Sequence, residues 1–156
     1  MRQSFLLPLA VSALGYAIVS LAGGMQTDIG PWYRALVKPS WQPPDWLFGP
    51  VWTTIFILAA VSAALAWRAA GETQRRMVVI LFVANGILNV LWSLLFFHLK
   101  QPLLAGVEVV LLWASIAALI WYVQRFSRPA AWLLVPYLLW VSFATVLNWT
   151  IVALNP

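Results

Sequence analysis

Three groups of residues in this chain have side chains and spacings suited to recognising a ligand. Asn85, Asn89, Trp92 and Phe96 fall at i, i+4, i+7 and i+11, with Ser93 at i+8, so a helix presents them on one face. Trp140, Ala144, Leu147 and Asn148 follow the same rule at i, i+4, i+7 and i+8. There Ala144 leaves a gap that admits either a neighbouring helix or a flat ligand. Trp52 and Phe56 are again one turn apart, with Ala59, Ala60 and Ala63 beyond them. The chemistry on offer is recognition by stacking and shape, with the amides either orienting a ligand's polar edge or bonding one helix to another.

Other chemistry is short of material. Four acidic residues, one His and no Cys leave little for acid/base hydrolysis, a thiolate metal site or disulfides. His98, beside Lys100 at the end of an apolar run, reads as an interfacial polar residue. Bis-His and thiolate haem ligation within one chain are excluded, and no metal site is expected. Glu108 is the one acid clearly inside an apolar run, where a carboxylate is functional unless water or a neighbouring amide meets its cost. The net charge of +5 comes from scattered Lys and Arg, which points to loops beside a membrane and away from nucleic acid.

The elements that must position these residues follow from composition. Hydrophobic residues make up 63% of the chain and charged ones 8%, against about 25% charged in a soluble domain, so it is an integral, multi-pass membrane protein. A spanning helix needs about 20 mainly apolar residues. Five stretches qualify, at about 5–24, 46–67, 77–97, 103–123 and 130–154. Short connections at 68–76, 98–102 and 124–129 make consecutive helices antiparallel neighbours, and residues 1–156 a single all-α domain, a five-helix transmembrane bundle. The first stretch is longer than the apolar core of a usual signal peptide and reads as a first helix. Arg2, Arg68, Arg75, Arg76, Arg125 and Arg128 lie at one set of helix ends, and Arg34, Lys38 and Lys100 at the other, which favours a cytoplasmic N-terminus.

The loop at 25–45 is much longer than the other connections and is not composed like a flexible linker. Pro31 suits the first turn of a short helix, Pro39 would end it, and Trp32 and Leu36 would share one face. Pro43 and Pro44 stiffen the return to the membrane, so the loop reads as a folded lid holding Trp32, Tyr33 and Trp41 over the bundle. Trp46, Trp67, Trp121 and Trp132, at helix ends, read instead as an interfacial belt.

The loop pattern Trp32-Tyr33-x-x-Leu36-x-Lys38-Pro39-x-Trp41-x-Pro43-Pro44 resembles the first-loop signature of the TspO/MBR family. That family comprises tryptophan-rich sensory proteins and the mitochondrial translocator protein, once called the peripheral-type benzodiazepine receptor. Asn85-x-x-x-Asn89-x-x-Trp92-Ser93 with Phe96-Phe97, and Pro136-Tyr137-x-x-Trp140-x-x-Phe143-Ala144-x-x-Leu147-Asn148, extend the resemblance over essentially the whole chain. It implies a ligand cavity under the first loop, binding of porphyrins and other hydrophobic molecules without a required cofactor, and frequent homodimers. Carried over by position, it places Trp32, Tyr33, Trp52, Phe56, Asn85, Asn89, Ser93, Trp140, Ala144 and Leu147 around the ligand. It also implies a sensory or translocating role, or alternatively light- and oxygen-dependent porphyrin breakdown, for which Trp32 and Trp140 are the candidate electron donors. The Tyr/Arg sterol pattern of mammalian members is absent from the C-terminal run 147–156, and Leu119-x-x-Tyr122-x-x-Arg125 matches only formally. Ala60 with Ala64, and Ala114 with Ala118, have the spacing of small-residue helix contacts. Internal repeats and broken helices, the usual marks of a secondary transporter, are not evident, which favours binding.

Overall fold

Because hydrocarbon offers no hydrogen-bond partners, each crossing must satisfy its own backbone, and helices do so. In the computed structural model, which describes residues 4–156, five helical spans are long and apolar enough to cross a membrane. The first is α1, Leu6–Gln26, followed by a one-turn helix α2, Pro31–Ala35, in the loop. Then come α3, Asp45–Ala69, and α4, Glu72–Ser93, which runs on into a π-helical turn, Leu94–His98. The chain continues through α5, Pro102–Val123, α6, Arg128–Leu133, and α7, Val135–Leu154. Arg2, counted above for orientation, lies outside the described residues.

The helices close into a ring in which α1 packs on α3 and α4, α4 on α5, α5 on α7, and α6 on α3. Joined through Ala70 and Gly71, α3 and α4 nevertheless touch each other sparingly, because α1 packs along both. A short connection therefore makes them successive, but not close partners along their length. Tight approaches are marked by glycine. A Cβ on Gly86 would lie 3.0 Å from Val19 Cγ2 of α1, and one on Gly106 would lie 3.1 Å from the Trp149 ring of α7.

Two spans depart from the continuous helices expected. The fifth breaks at Leu134, between α6 and α7. Pro136 has no N–H to give the carbonyl of Trp132, so the ladder cannot pass through it. The third ends in the π turn, where the Leu99 N–H donates to Leu94 O at 2.8 Å and the Gln101 N–H to Leu95 O at 2.9 Å. Lys100, with φ 55°, then reverses the chain toward Pro102, which starts α5. Of the small-residue pairs, Ala60 and Ala64 are buried within the bundle, while Ala114 and Ala118 face outward. Leu119 is fully buried, so the formal sterol pattern cannot present that residue to lipid.

Candidate functional site

Beneath the first loop the ring encloses a cavity of about 470 Å³, within the range of small-molecule sites. From α3, Phe48, Trp52 and Phe56 line it at one-turn intervals, with Gly49 and Thr53 between them and Asp45 ahead of them. From α4 and its π turn come Asn89, Trp92, Ser93, Phe96 and Phe97, and from α7 come Trp140, Ala144, Leu147, Asn148 and Ile151. The aromatic walls brace one another: Trp92 stacks on Phe96 at 5.3 Å, Trp52 lies 5.4 Å from Phe56, and Phe48 meets Trp140 edge-on at 5.6 Å. Trp140 lines the cavity, and its indole Nε1 is buried with no hydrogen-bond partner among the described residues.

Eight of the ten residues singled out from sequence come together on this wall: Tyr33, Trp52, Phe56, Asn89, Ser93, Trp140, Ala144 and Leu147. Two do not reach it. Trp32 packs edge-on against Phe96 at 6.0 Å, so that ring stands between it and the cavity. Asn85 sits deeper in the bundle, accepting from the Tyr16 hydroxyl at 3.4 Å and donating to Ser115 Oγ at 2.9 Å, and so ties α4 to α1 and α5. The two amides thus divide the readings left open by their spacing. Asn89 lines the cavity while donating to the Tyr137 hydroxyl at 3.0 Å, whereas Asn85 is a helix-to-helix joint.

The wall also contains residues outside those ten. Asn148 accepts from Trp92 Nε1 at 3.0 Å and donates to the Pro102 carbonyl at 2.8 Å, joining α4, α5 and α7 at the cavity's edge. A whole side comes from α1, through Val19, Ser20, Gly23 and Gly24, and from Thr27 just past its end. Ser20 and Gly24 of α1, with Gly49 and Thr53 of α3, line the cavity and are exposed at the same time, so it opens sideways between these two helices.

The lid is held by polar contacts at several points. Tyr33 donates its hydroxyl to Asp45 Oδ1 at 3.0 Å and accepts from Gln42 Nε2 at 3.1 Å, while Lys38 Nζ donates to the Tyr33 carbonyl at 2.6 Å. Asn155, just past α7, exchanges two bonds of 2.9 Å with the backbone of Val37. Those bonds engage Val37 outside any helix, and α2 ends at Ala35, earlier than Pro39 alone required. Trp41 rests edge-on against Phe143 at 5.8 Å.

Burial and the Asp45 carboxylate together push the Tyr33 hydroxyl up to about 12 from its ordinary 10.0, against a smaller opposing effect of Gln42. A raised tyrosine keeps its full contribution to the closed lid below pH 10 and loses it as pH climbs through about 12. A tyrosinate absorbance titration of the parent minus Tyr33→Phe is expected to isolate one group ionising near 12. A difference spectrum centred at 10 would mean that the hydroxyl is not buried against Asp45.

The rest of the titratable set is away from the wall. His98 is exposed at its helix end, and among the described residues no group of three His, Cys, Asp or Glu is placed to hold a metal. Glu108 is buried at 4% exposure with both oxygens unpartnered among the described residues, and does not line the cavity. Trp46, Trp121 and Trp132 are exposed at helix ends, as a belt requires, and Trp67 is partly buried there.

The model of the TspO/MBR family matches residues 5–154. This chain belongs to the TspO/MBR family. Its relatives include the tryptophan-rich protein TspO of Chlorobaculum tepidum, 46% identical over 129 residues and 80% of each chain. The tryptophan-rich protein TspO of Archaeoglobus fulgidus is 37% identical over 152 residues, 96% of this chain and 98% of the relative. The translocator protein of Homo sapiens is 39% identical over 124 residues, 77% of this chain and 72% of the relative. Membership in the TspO/MBR family thus rests on all five spans, the lid included.

Proposed function

We propose that this membrane protein binds tetrapyrroles, and other flat hydrophobic molecules, in the cavity beneath its first loop, in a sensory or translocating role. The observation that carries this reading is the wall itself: Trp52, Trp92, Phe96 and Trp140 offer aromatic faces, with few polar atoms among them. Offset stacking contributes roughly 0.5–1.5 kcal/mol per aromatic pair beyond area burial, which suits a macrocycle recognised without an axial ligand. Membership in a family whose members include a translocator protein supports the same reading.

A second reading, breakdown of the bound porphyrin with light and molecular oxygen as oxidant, is favoured by Trp140, an oxidisable ring on the wall. Trp32, behind Phe96, is the more remote of the two candidates. Purified protein mixed with protoporphyrin tests both. In darkness, saturable tryptophan quenching with an unchanged porphyrin absorption is expected. Under light with oxygen, slow loss of bound porphyrin is expected, and Trp140→Phe suppresses it more than it weakens binding. Loss no faster than for porphyrin in detergent, or unchanged in both Trp32→Phe and Trp140→Phe at matched occupancy, would remove the breakdown reading. Absence of saturable quenching would remove the binding one.

A further inference from the structure

The far end of the bundle holds a second concavity. At the C-terminus of α3, which is roughly 37 Å from the lid by helical rise, a groove is lined by Trp67, Glu72, Arg75, Arg76, Val79 and Ile80. It opens where α3 and α4 leave their joining turn. The Arg75 guanidinium lies 5.1 Å from the Trp67 ring centroid, and its Nε donates to the Trp67 carbonyl at 3.3 Å, so the groove is braced by a cation on an aromatic face. Arg76 is exposed beside it.

Below Arg76, at i+3, i+4, i+7 and i+11, run Val79, Ile80, Val83 and Ile87, which are 47%, 47%, 55% and 62% exposed. On a membrane helix that is a lipid-facing stripe, and here it begins under two guanidinium groups. Among the described residues that line it, two Arg and one Glu leave one net positive charge. Arg68 and Arg125 rest on rings of their own, Phe5 at 5.3 Å and Trp121 at 3.5 Å.

We propose that this groove binds one anionic phospholipid with a hydroxylated headgroup, of the phosphatidylglycerol type. Its phosphodiester sits at Arg75 and Arg76, Glu72 accepts from a headgroup hydroxyl, and one acyl chain lies along Val79, Ile80, Val83 and Ile87. A single negative charge matches the groove, and the stripe supplies what a free phosphate lacks.

Native mass spectrometry of the full chain in detergent tests this with dioleoyl phosphatidylglycerol, dioleoyl phosphatidylethanolamine, glycerophosphoglycerol and inorganic phosphate as probes. Phosphatidylglycerol is expected to bind about five-fold more tightly than phosphatidylethanolamine, and Arg76→Gln to lower its affinity about five-fold, the effect of one basic residue at an anionic headgroup. Arg76→Glu should lower it further, and Arg125→Gln should leave it unchanged. Arg76 is exposed, so both variants should keep the parent's circular dichroism and elution. Equal binding of the two lipids, an equal loss in Arg125→Gln, or displacement by glycerophosphoglycerol or phosphate at concentrations comparable to the lipid would overturn the proposal.

Discussion

Ala144→Phe is expected to lower porphyrin affinity by at least about 100-fold, or about 2.7 kcal/mol, while the bundle stays folded. Ala144 lies one turn beyond Trp140 and one turn before Asn148 on the cavity wall, and its methyl group leaves the space between them open. A benzyl group there fills room that the helices do not use against each other, so the overpacking cost of roughly 1–3 kcal/mol for a filled core is largely avoided. The ligand, by contrast, loses both volume and one stacking face. Tryptophan quenching titrations, paired with thermal unfolding, check the two halves of the prediction. Parent affinity in a folded Ala144→Phe protein would place the ligand somewhere else.

The second large effect is on stability. Asn148→Leu is expected to destabilise the bundle by about 2 kcal/mol, because it removes the bond from Trp92 Nε1 and the bond to the Pro102 carbonyl together. Hydrogen bonds between membrane helices average about 0.6 kcal/mol and reach about 1.7, so two of them with a stranded indole N–H give this order. The branched Leu also meets a tight place, since a Cβ on Gly106 would already lie 3.2 Å from Asn148 Nδ2. Asn89→Leu, which loses the single bond to Tyr137, should cost less than half as much. Reversible unfolding in mixed micelles measures both, and an Asn148→Leu protein within about 0.5 kcal/mol of the parent would show that this joint does not hold α4, α5 and α7 together.

Much of this architecture is written in hydropathy, because a span leaves a run of about 20 apolar residues that few other structures need. The break at Leu134 was signalled by Pro136, but a long apolar run masks a single proline when read as one crossing. No sequence feature announces the π turn of Leu94–His98, because its hydrogen bonds lie in the backbone. At the cavity, periodicity found the α3, α4 and α7 walls, since aromatic and amide residues stand out on an apolar helix. It missed α1, whose contribution is made of Val19, Ser20, Gly23 and Gly24, side chains too small to register as a recognition surface. Periodicity also grouped Asn85 with Asn89 because both share a face, and only depth along α4 separates a helix joint from a cavity wall. Trp32 was displaced by the rings of the π turn, a contact between segments far apart in sequence.

Whether a porphyrin occupies this particular cavity is read from the indole N–H resonances of the protein with and without protoporphyrin. The macrocycle's ring current shifts whatever lies against its face. Large shifts are expected for Trp52, Trp92 and Trp140, whose rings line the wall, a smaller one for Trp32, and none for Trp46, Trp121 and Trp132 at the exposed helix ends. Shifts confined to the exposed tryptophans, with Trp140 unmoved at saturating porphyrin, would contradict this placement.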